Sequence, residues 1–225
     1  MMAYTSEYLC KVDICIRDFY DSTASDKFEN MWRKIPHNVN WCSTNAQMSI
    51  IKFSTRHELT IYNVRNMLES RKSTLCNYVI VEFDGDESIK SLNLERYLEN
   101  CNVQYLRFSY TESGGLANRL KNIKPIIDYL VVGPSNTSSY LLFQQFLNGY
   151  EHIMPVICQV NFAFSLPKFA EENGFRESLL KLKSDGKYVV IAASKDRTDM
   201  HLNLFFVNMR HSYCRDRYLR YFSYY

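Results

Sequence analysis

The sequence predicts an α/β fold of leucine-rich-repeat-like strand–helix repeats, with a mostly parallel sheet and a closing C-terminal β-hairpin. Three observations lead there. Runs rich in β-branched and aromatic residues recur with centres roughly 24 to 31 residues apart, the pitch of a strand–helix unit. The stretches between them change from a two-residue to a helical period. Only 7 Gly and 5 Pro are present, too few for a turn-rich sandwich of many short strands.

The N-terminal stretch is helical in spacing. Tyr8, Leu9, Val12, Ile16 and Phe19 fall on one face, and Phe28, Met31 and Trp32 repeat the pattern until Ile35-Pro36, where the missing N–H of proline is expected to end the helix. Residues 1–45 therefore read as a small helical lead-in and residues 46–225 as the α/β repeat-like domain. Strands are expected at Met48–Phe53, Asn77–Phe83, Val103–Phe108, Ile127–Val132, Val156–Phe164, Tyr188–Ala192 and Leu202–Val207. Helices are expected between them. Ile61, Val64, Met67 and Leu68 mark one, Leu92, Leu94, Tyr97 and Leu98 the next, and Leu116, Leu120 and Ile123 a short one after the Gly114-Gly115 turn. Leu141, Leu142, Phe146 and Leu147 follow the capping cluster Ser135-Asn136-Thr137, and Phe169, Phe175, Leu179, Leu180 and Leu182 form the last. Asp185-Gly186 then leads into Tyr188–Ala192, and the polar loop Ser194–Asp199 into Leu202–Val207, which reads as an antiparallel hairpin.

Strand–helix units of this pitch imply parallel pairing. A closed or doubly wound sheet satisfies it, and so does a one-sided solenoid in which strands line a concave face. Strand order separates the two: sequence order supports a solenoid, whereas a reversal opens a crevice of the kind that binds small molecules.

Composition bounds the function. A 225-residue chain with 46% hydrophobic residues can close one full-sized core. The formal net charge of +3 comes from interspersed charges that call for no polyanionic partner. No apolar run approaches the roughly 20 residues needed to cross a bilayer, and Met1–Glu7 lacks a cationic stretch followed by an apolar one. Seven cysteines, most in apolar contexts such as Cys76, Cys101 and Cys158, read as buried hydrophobes of a reducing compartment. The expectation is a cytoplasmic or nuclear protein with no disulfides.

The stretch Asn63-Val64-Arg65-Asn66-Met67-Leu68-Glu69-Ser70-Arg71-Lys72-Ser73-Thr74-Leu75, followed by Tyr78-Val79-Ile80-Val81-Glu82-Phe83, resembles the start of the FTH (F-box-associated) region of nematode F-box proteins. Asp185-Gly186-Lys187-Tyr188-Val189-Val190-Ile191 with Leu204-Phe205-Phe206-Val207 looks like the terminal hairpin of that region, so the resemblance spans about residues 45 to 210. It implies a leucine-rich-repeat-like surface that captures a substrate, and an N-terminal F-box that docks on an adaptor of a cullin-type ubiquitin ligase. Here the chain departs from the family, because no Leu-Pro start and no F-box helical pattern of normal length precedes residue 45; Tyr8 to Trp32 reads as a degenerate remnant or an unrelated segment.

Site chemistry is sparse. Gly114-Gly115 is the one glycine pair and lacks the spacing of a phosphate-binding loop, so it reads as a turn. Cys10 and Cys15 have no second close pair to complete a zinc site, and His201 and His211 flank a strand. No local motif selects a Cys or Ser nucleophile. Asp84-Gly85-Asp86-Glu87, at the carboxyl end of a strand, is the best acidic cluster, and reads first as a solvated turn and second as a magnesium site of a small α/β enzyme. Asp196-Arg197-Thr198-Asp199 reads as a hairpin loop. The tail from Arg210 to Tyr225 interleaves Arg210, Arg215, Arg217 and Arg220 with Tyr213, Tyr218, Tyr221, Phe222, Tyr224 and Tyr225. That is the recipe of a single-strand nucleic-acid binder, and equally of a terminal helix packing its tyrosine face on the sheet. The expectation is a protein–protein interaction module with no catalytic, cofactor or metal residues. Nucleic-acid binding through the tail and an enzyme built on residues 84–87 stand as alternatives.

Overall fold

The computed structural model describes residues 3–23, 25–44, 50–54, 60–64, 76–83, 101–108, 116–123, 125–134, 138–148 and 154–218. Two helices open the chain, α1 (Ala3–Thr23) and α2 (Phe28–Thr44). They precede the strands β1 (Ile50–Ser54) and β2 (Thr60–Val64), which form an antiparallel pair. Then come β3 (Cys76–Phe83), β4 (Cys101–Phe108), α3 (Leu116–Leu120), β5 (Ile126–Val132), α4 (Ser138–Leu147), β6 (Val156–Ser165), α5 (Phe169–Asp185), β7 (Tyr188–Lys195), β8 (His201–Asn208) and α6 (Ser212–Tyr218).

The main sheet has six strands in the order β4-β3-β5-β6-β8-β7. β4, β3, β5 and β6 run parallel, and β8 inserts antiparallel between β6 and β7. The α/β class, the mostly parallel sheet and the closing hairpin are thus as the sequence predicts. The solenoid is not. From β3 the chain steps outward to β4, then returns across β3 to β5, so the strands are not stacked in sequence order as leucine-rich-repeat-like units require. Strand pitch cannot tell the two apart, because a crossover to the left-hand neighbour and one to the right-hand neighbour need the same length of chain.

Both faces of the sheet are covered, by different means. On one face Val160, Phe162 and Phe164 of β6 lie beside Leu204 and Phe206 of β8, and α4 and α5 pack on them. Phe143 sits 5.1 Å from Phe162, 5.1 Å from Phe164 and 5.6 Å from Phe206, ring to ring, with Phe175 of α5 5.2 Å from Phe164. Such pairs add to the gain from simple burial. On the other face the β1–β2 pair docks on Asn161, whose amide accepts from Tyr62 N–H at 2.8 Å and donates to Tyr62 C=O at 2.7 Å. An asparagine here does what a neighbouring strand would do, and Tyr62 stacks on Phe205. Ile61 to Val64 consequently form strand and not the expected helix. The window is short, and two residues, Met67 and Leu68, whose placement lies outside the described residues, completed its helical period.

α2 also corrects its expected end. Pro36 lies inside the helix, which continues to Thr44. An interior proline costs about 3 kcal/mol, and the buried residues beyond it offset that cost. Val39 and Cys42 continue the buried face of Met31, Trp32 and Ile35. Asn40 donates to Ala193 C=O at 2.8 Å and accepts from Ala193 N–H at 3.1 Å, capping the edge strand β7. Trp32 packs against Phe175 at 5.7 Å, so α2 joins the aromatic cluster of α4 and α5.

α5 starts with Glu171 accepting from Lys168 N–H at 3.0 Å and stops at Gly186, whose φ of 57° is the left-handed value that glycine tolerates. The Asp196–Asp199 loop turns β7 into β8 as expected, with Asp199 itself at φ 59° and Asp196 N–H donating to His201 C=O.

The expectation of no disulfides fails. Cys15 is bonded to Cys42, Cys76 to Cys101 and Cys158 to Cys214. Their apolar surroundings misled the reading, since a buried cystine is as apolar as a buried thiol. Partners 25 to 56 residues apart leave no local signal. Among the described residues no helix is long and apolar enough to cross a membrane.

Candidate functional site at the strand switch

The reversal of strand order falls between β3 and β5. Their crossovers leave in opposite directions, so the carboxyl ends of these two strands border a crevice, the position at which open α/β sheets bind ligands. Gly133 N–H donates to Val81 C=O at 3.0 Å, which keeps β5 paired to β3 up to their ends and sets Gly133 and Pro134 level with Glu82 and Phe83. On the outer side β4 pairs Arg107 with Glu82 and Phe108 with Phe83.

Glu82 is the chemical feature of this mouth. Its side chain is 4% exposed, yet one carboxylate oxygen, Oε1, has no hydrogen-bond partner among the described residues. The other, Oε2, faces Arg107 Nε at 3.7 Å, an ion pair too long for a strong hydrogen bond, and the Arg107 side chain is mostly in solvent. A buried carboxylate with an unused oxygen is costly unless something binds it. Sequence reading placed Glu82 inside a strand and passed over it. A carboxylate within an otherwise apolar run, Val79-Ile80-Val81-Glu82-Phe83, was the available signal. The chain runs on from Phe83 into Asp84-Gly85-Asp86-Glu87, and that expected acidic cluster lies outside the described residues, as do Gly114-Gly115, Ser135–Thr137 and the helix expected at Leu92–Leu98.

Further along the same end of the sheet, Asn203 of β8 and Ser194 of β7 are register partners. Asn203 is 3% exposed, and neither of its amide atoms has a hydrogen-bond partner among the described residues. Next to them Lys195 lies between Asp199, 3.4 Å away, and the Trp32 ring, 5.7 Å away; burial holds its ammonium below the ordinary lysine value against the pull of Asp199.

The tail residues that are described are packed. Tyr218 O–H donates to Asp128 at 2.7 Å and Tyr213 O–H at 3.3 Å, while Arg217 lies 3.5 Å from the same carboxylate and also donates to the Tyr213 hydroxyl. The other Asp128 oxygen accepts from Asn77 N–H at 2.8 Å. Burial, then the neighbouring Asp128 charge, pushes the Tyr213 hydroxyl up; burial, then Tyr129 and Asp128, does the same to Tyr218. Of the two readings of the tail, packing on the sheet accounts for Tyr213, Arg217 and Tyr218. Residues 219–225 lie outside the described residues.

The sequence candidates for metal binding are dispersed. Cys15 is consumed by Cys42, and His201 is engaged by Asp196 at 2.9 Å. Among the described residues no three His, Cys, Asp or Glu side chains gather as a metal site.

No family model matches the chain, and no curated protein does. Solved structures do. The protein-(glutamine-N5) methyltransferase (release factor-specific) from Alicyclobacillus acidocaldarius is 10% identical with a TM-score of 0.42, over 59% of this chain and 80% of that one. The METTL16 methyltransferase domain is 12% identical with a TM-score of 0.36, over 77% and 81%. The Mtq2–Trm112 complex of E. cuniculi, described as methylating the termination factor eRF1, is 9% identical with a TM-score of 0.35, over 63% and 89%. These are distant likenesses at low identity.

Proposed function

We propose that the protein binds a non-phosphorylated, hydroxyl-bearing or cationic small molecule of nucleoside size at the carboxyl ends of β3 and β5. The observation that carries this reading is the buried Glu82 with its unpartnered oxygen, located where the strand order reverses. Ligands of doubly wound sheets occupy this position, and an acidic side chain there accepts ribose hydroxyls. The charge selects the class. Glu82 is followed in the chain by Asp84, Asp86 and Glu87, and like charges repel a phosphate, whereas sugar hydroxyls or a positive group gain charge-assisted hydrogen bonds. A glycine-rich phosphate loop is also missing from the sequence after β3.

The test is a melting-temperature and calorimetric screen with adenosine, S-adenosylmethionine, ATP and magnesium or manganese alone. Stabilisation by the unphosphorylated compounds and not by ATP is expected. Glu82→Gln keeps the fold but loses a charge-assisted bond of about 1.5–3 kcal/mol, so binding weakens roughly 10- to 100-fold. A screen in which no unphosphorylated compound binds removes the reading, and a shift with metal alone would transfer the site to the acidic segment 84–87.

A second reading, an interaction module that recruits a protein partner, of which a ubiquitin-ligase adaptor is one form, is favoured by one surface feature. Phe169 is 89% exposed, and Leu166, exposed nearby on the β6–α5 connection, is hydrogen-bonded through its N–H to exposed Met200. Loss of a stoichiometric partner on Phe169→Asp supports it; capture unchanged by that substitution counts against it.

A further inference from the structure

The cysteines carry an inference that is independent of the ligand reading. Six of the seven meet in three pairs, at three separate places: between α1 and α2, at the amino ends of β3 and β4, and between β6 and α6. Thiols used as small hydrophobes are placed one by one, wherever the core has a gap. These are not. Their Cα atoms are 5.7, 4.5 and 5.0 Å apart, each within the window that a disulfide spans without backbone movement. Cys76 and Cys101 are register partners on adjacent strands, and Cys158 and Cys214 join the central sheet to the last described helix.

Placement is also selective. Each link adds to the hold on a short, edge or N-terminal element. α6 has seven residues, shorter than a helix that is stable alone, and β4 is an edge strand with alternately exposed side chains. The link between α1 and α2 crosses the turn that separates them and fixes Cys42, which lies beyond Pro36, the weak point of its helix.

We propose that the native protein carries all three disulfides and is made in an oxidising compartment, contrary to the reducing one expected from the sequence. In each case two thiols form one S–S bond, giving up two protons and two electrons to the disulfide of a thiol–disulfide oxidoreductase, which leaves as the dithiol. A cytosolic glutathione pool would not keep three such bonds closed in an ordinary intracellular protein. Each link closes a loop, with separations of 27, 25 and 56 residues, and so restricts the unfolded chain.

The experiment is thiol trapping. Cells that make the protein are lysed in excess N-ethylmaleimide, and the captured chain is weighed before and after reduction and a second alkylation with iodoacetamide. The expected result is one maleimide per chain, on Cys10, and six carbamidomethyl groups added only after reduction. Peptide mapping should then give the links 15–42, 76–101 and 158–214. Six or seven maleimides in the first step would overturn the proposal, and so would other pairings. A second measurement does not depend on the source cells: the melting temperature of the purified oxidised chain should fall by about 10 °C or more with reductant. No change on reduction overturns the structural role. Neither result bears on the nucleoside screen.

Discussion

Substituting Asp128 by alanine tests the polar node under α6. The carboxylate is 1% exposed side chain and serves four partners: the Tyr218 and Tyr213 hydroxyls, the Arg217 guanidinium and the Asn77 backbone N–H. Removing it takes a carboxylate from the mostly buried Arg217 guanidinium and the acceptor from two hydroxyls and an amide. Breaking a buried pair by deleting one member costs about 3–5 kcal/mol. Each orphaned neutral donor adds about 1–3 kcal/mol, less whatever water can recover. For a chain of this size 1 kcal/mol moves the melting temperature by about 2–4 °C, so the lost ion pair by itself should lower the melting of Asp128→Ala by roughly 6–20 °C. Asp128→Asn keeps one acceptor for the tyrosines but turns an N–H toward Asn77, and should fall between the two. The assay is thermal unfolding followed by circular dichroism under oxidising conditions, where Cys158–Cys214 still tethers α6. A loss below about 3 °C for the alanine variant would refute the assignment of Asp128 as a central acceptor.

Two further outcomes follow from the same structure. Asn161→Ala strips both hydrogen bonds that dock β2, and with about 1–3 kcal/mol for each buried group left unmade it should release the β1–β2 pair. Faster amide exchange at Tyr62 with little change in α5 is the signature, and exchange unchanged at Tyr62 contradicts it. At Asp196, burial raises the carboxyl but donation from Thr198 and His201 outweighs it, holding the group below its ordinary value. A depressed folded-state value stabilises above the unfolded one, near pH 4, and is lost as pH falls through it. Wild type should therefore lead Asp196→Asn in melting temperature at neutral pH and converge with it in acid; a gap that persists into strong acid rules this out.

Much of the fold was legible because its strands are apolar on both faces. β3, β5, β6, β7 and β8 are buried almost throughout, and such strands print as continuous runs of Val, Ile, Leu and Phe. β4, with its alternating burial, was found as well, since Val103, Tyr105 and Phe108 suffice. Strand order was not legible, because the direction of a crossover leaves no periodicity. The errors at β2 and Pro36 share a cause. In each, a local rule met a tertiary contact from far along the chain, Asn161 at Tyr62 and Ala193 at Asn40. The candidate site failed to register for the opposite reason to the tail. Tyr213, Arg217 and Tyr218 attract notice by composition and prove to be packing, whereas Glu82 is one carboxylate in an apolar run.

Buried polar groups are satisfied unevenly across the sheet. At the amino end, Cys76–Cys101, Cys158–Cys214, the Asp128 node and the bonds of Tyr188 O–H and Asn208 to Ile157 C=O lock strands and helix together. Among the described residues, Glu82 and Asn203 toward the carboxyl end hold buried polar atoms with no hydrogen-bond partner, and so do Tyr78, His211 Nδ1 and Arg217 Nε nearer the amino end. Proteins tolerate such groups where function needs them and stability suffers for it. The Asn203 amide makes a signed prediction. Asn203→Leu replaces two unpartnered atoms with an apolar side chain of similar size, and removing a buried polar group that binds nothing is neutral or stabilising. The gain should be about 1–3 kcal/mol, or roughly 2–12 °C in melting temperature. Most single substitutions at such buried positions destabilise, so a rise is informative. A fall of several degrees would mean that the Asn203 amide is hydrogen-bonded in solution, and its reading as an unsatisfied buried group would fail.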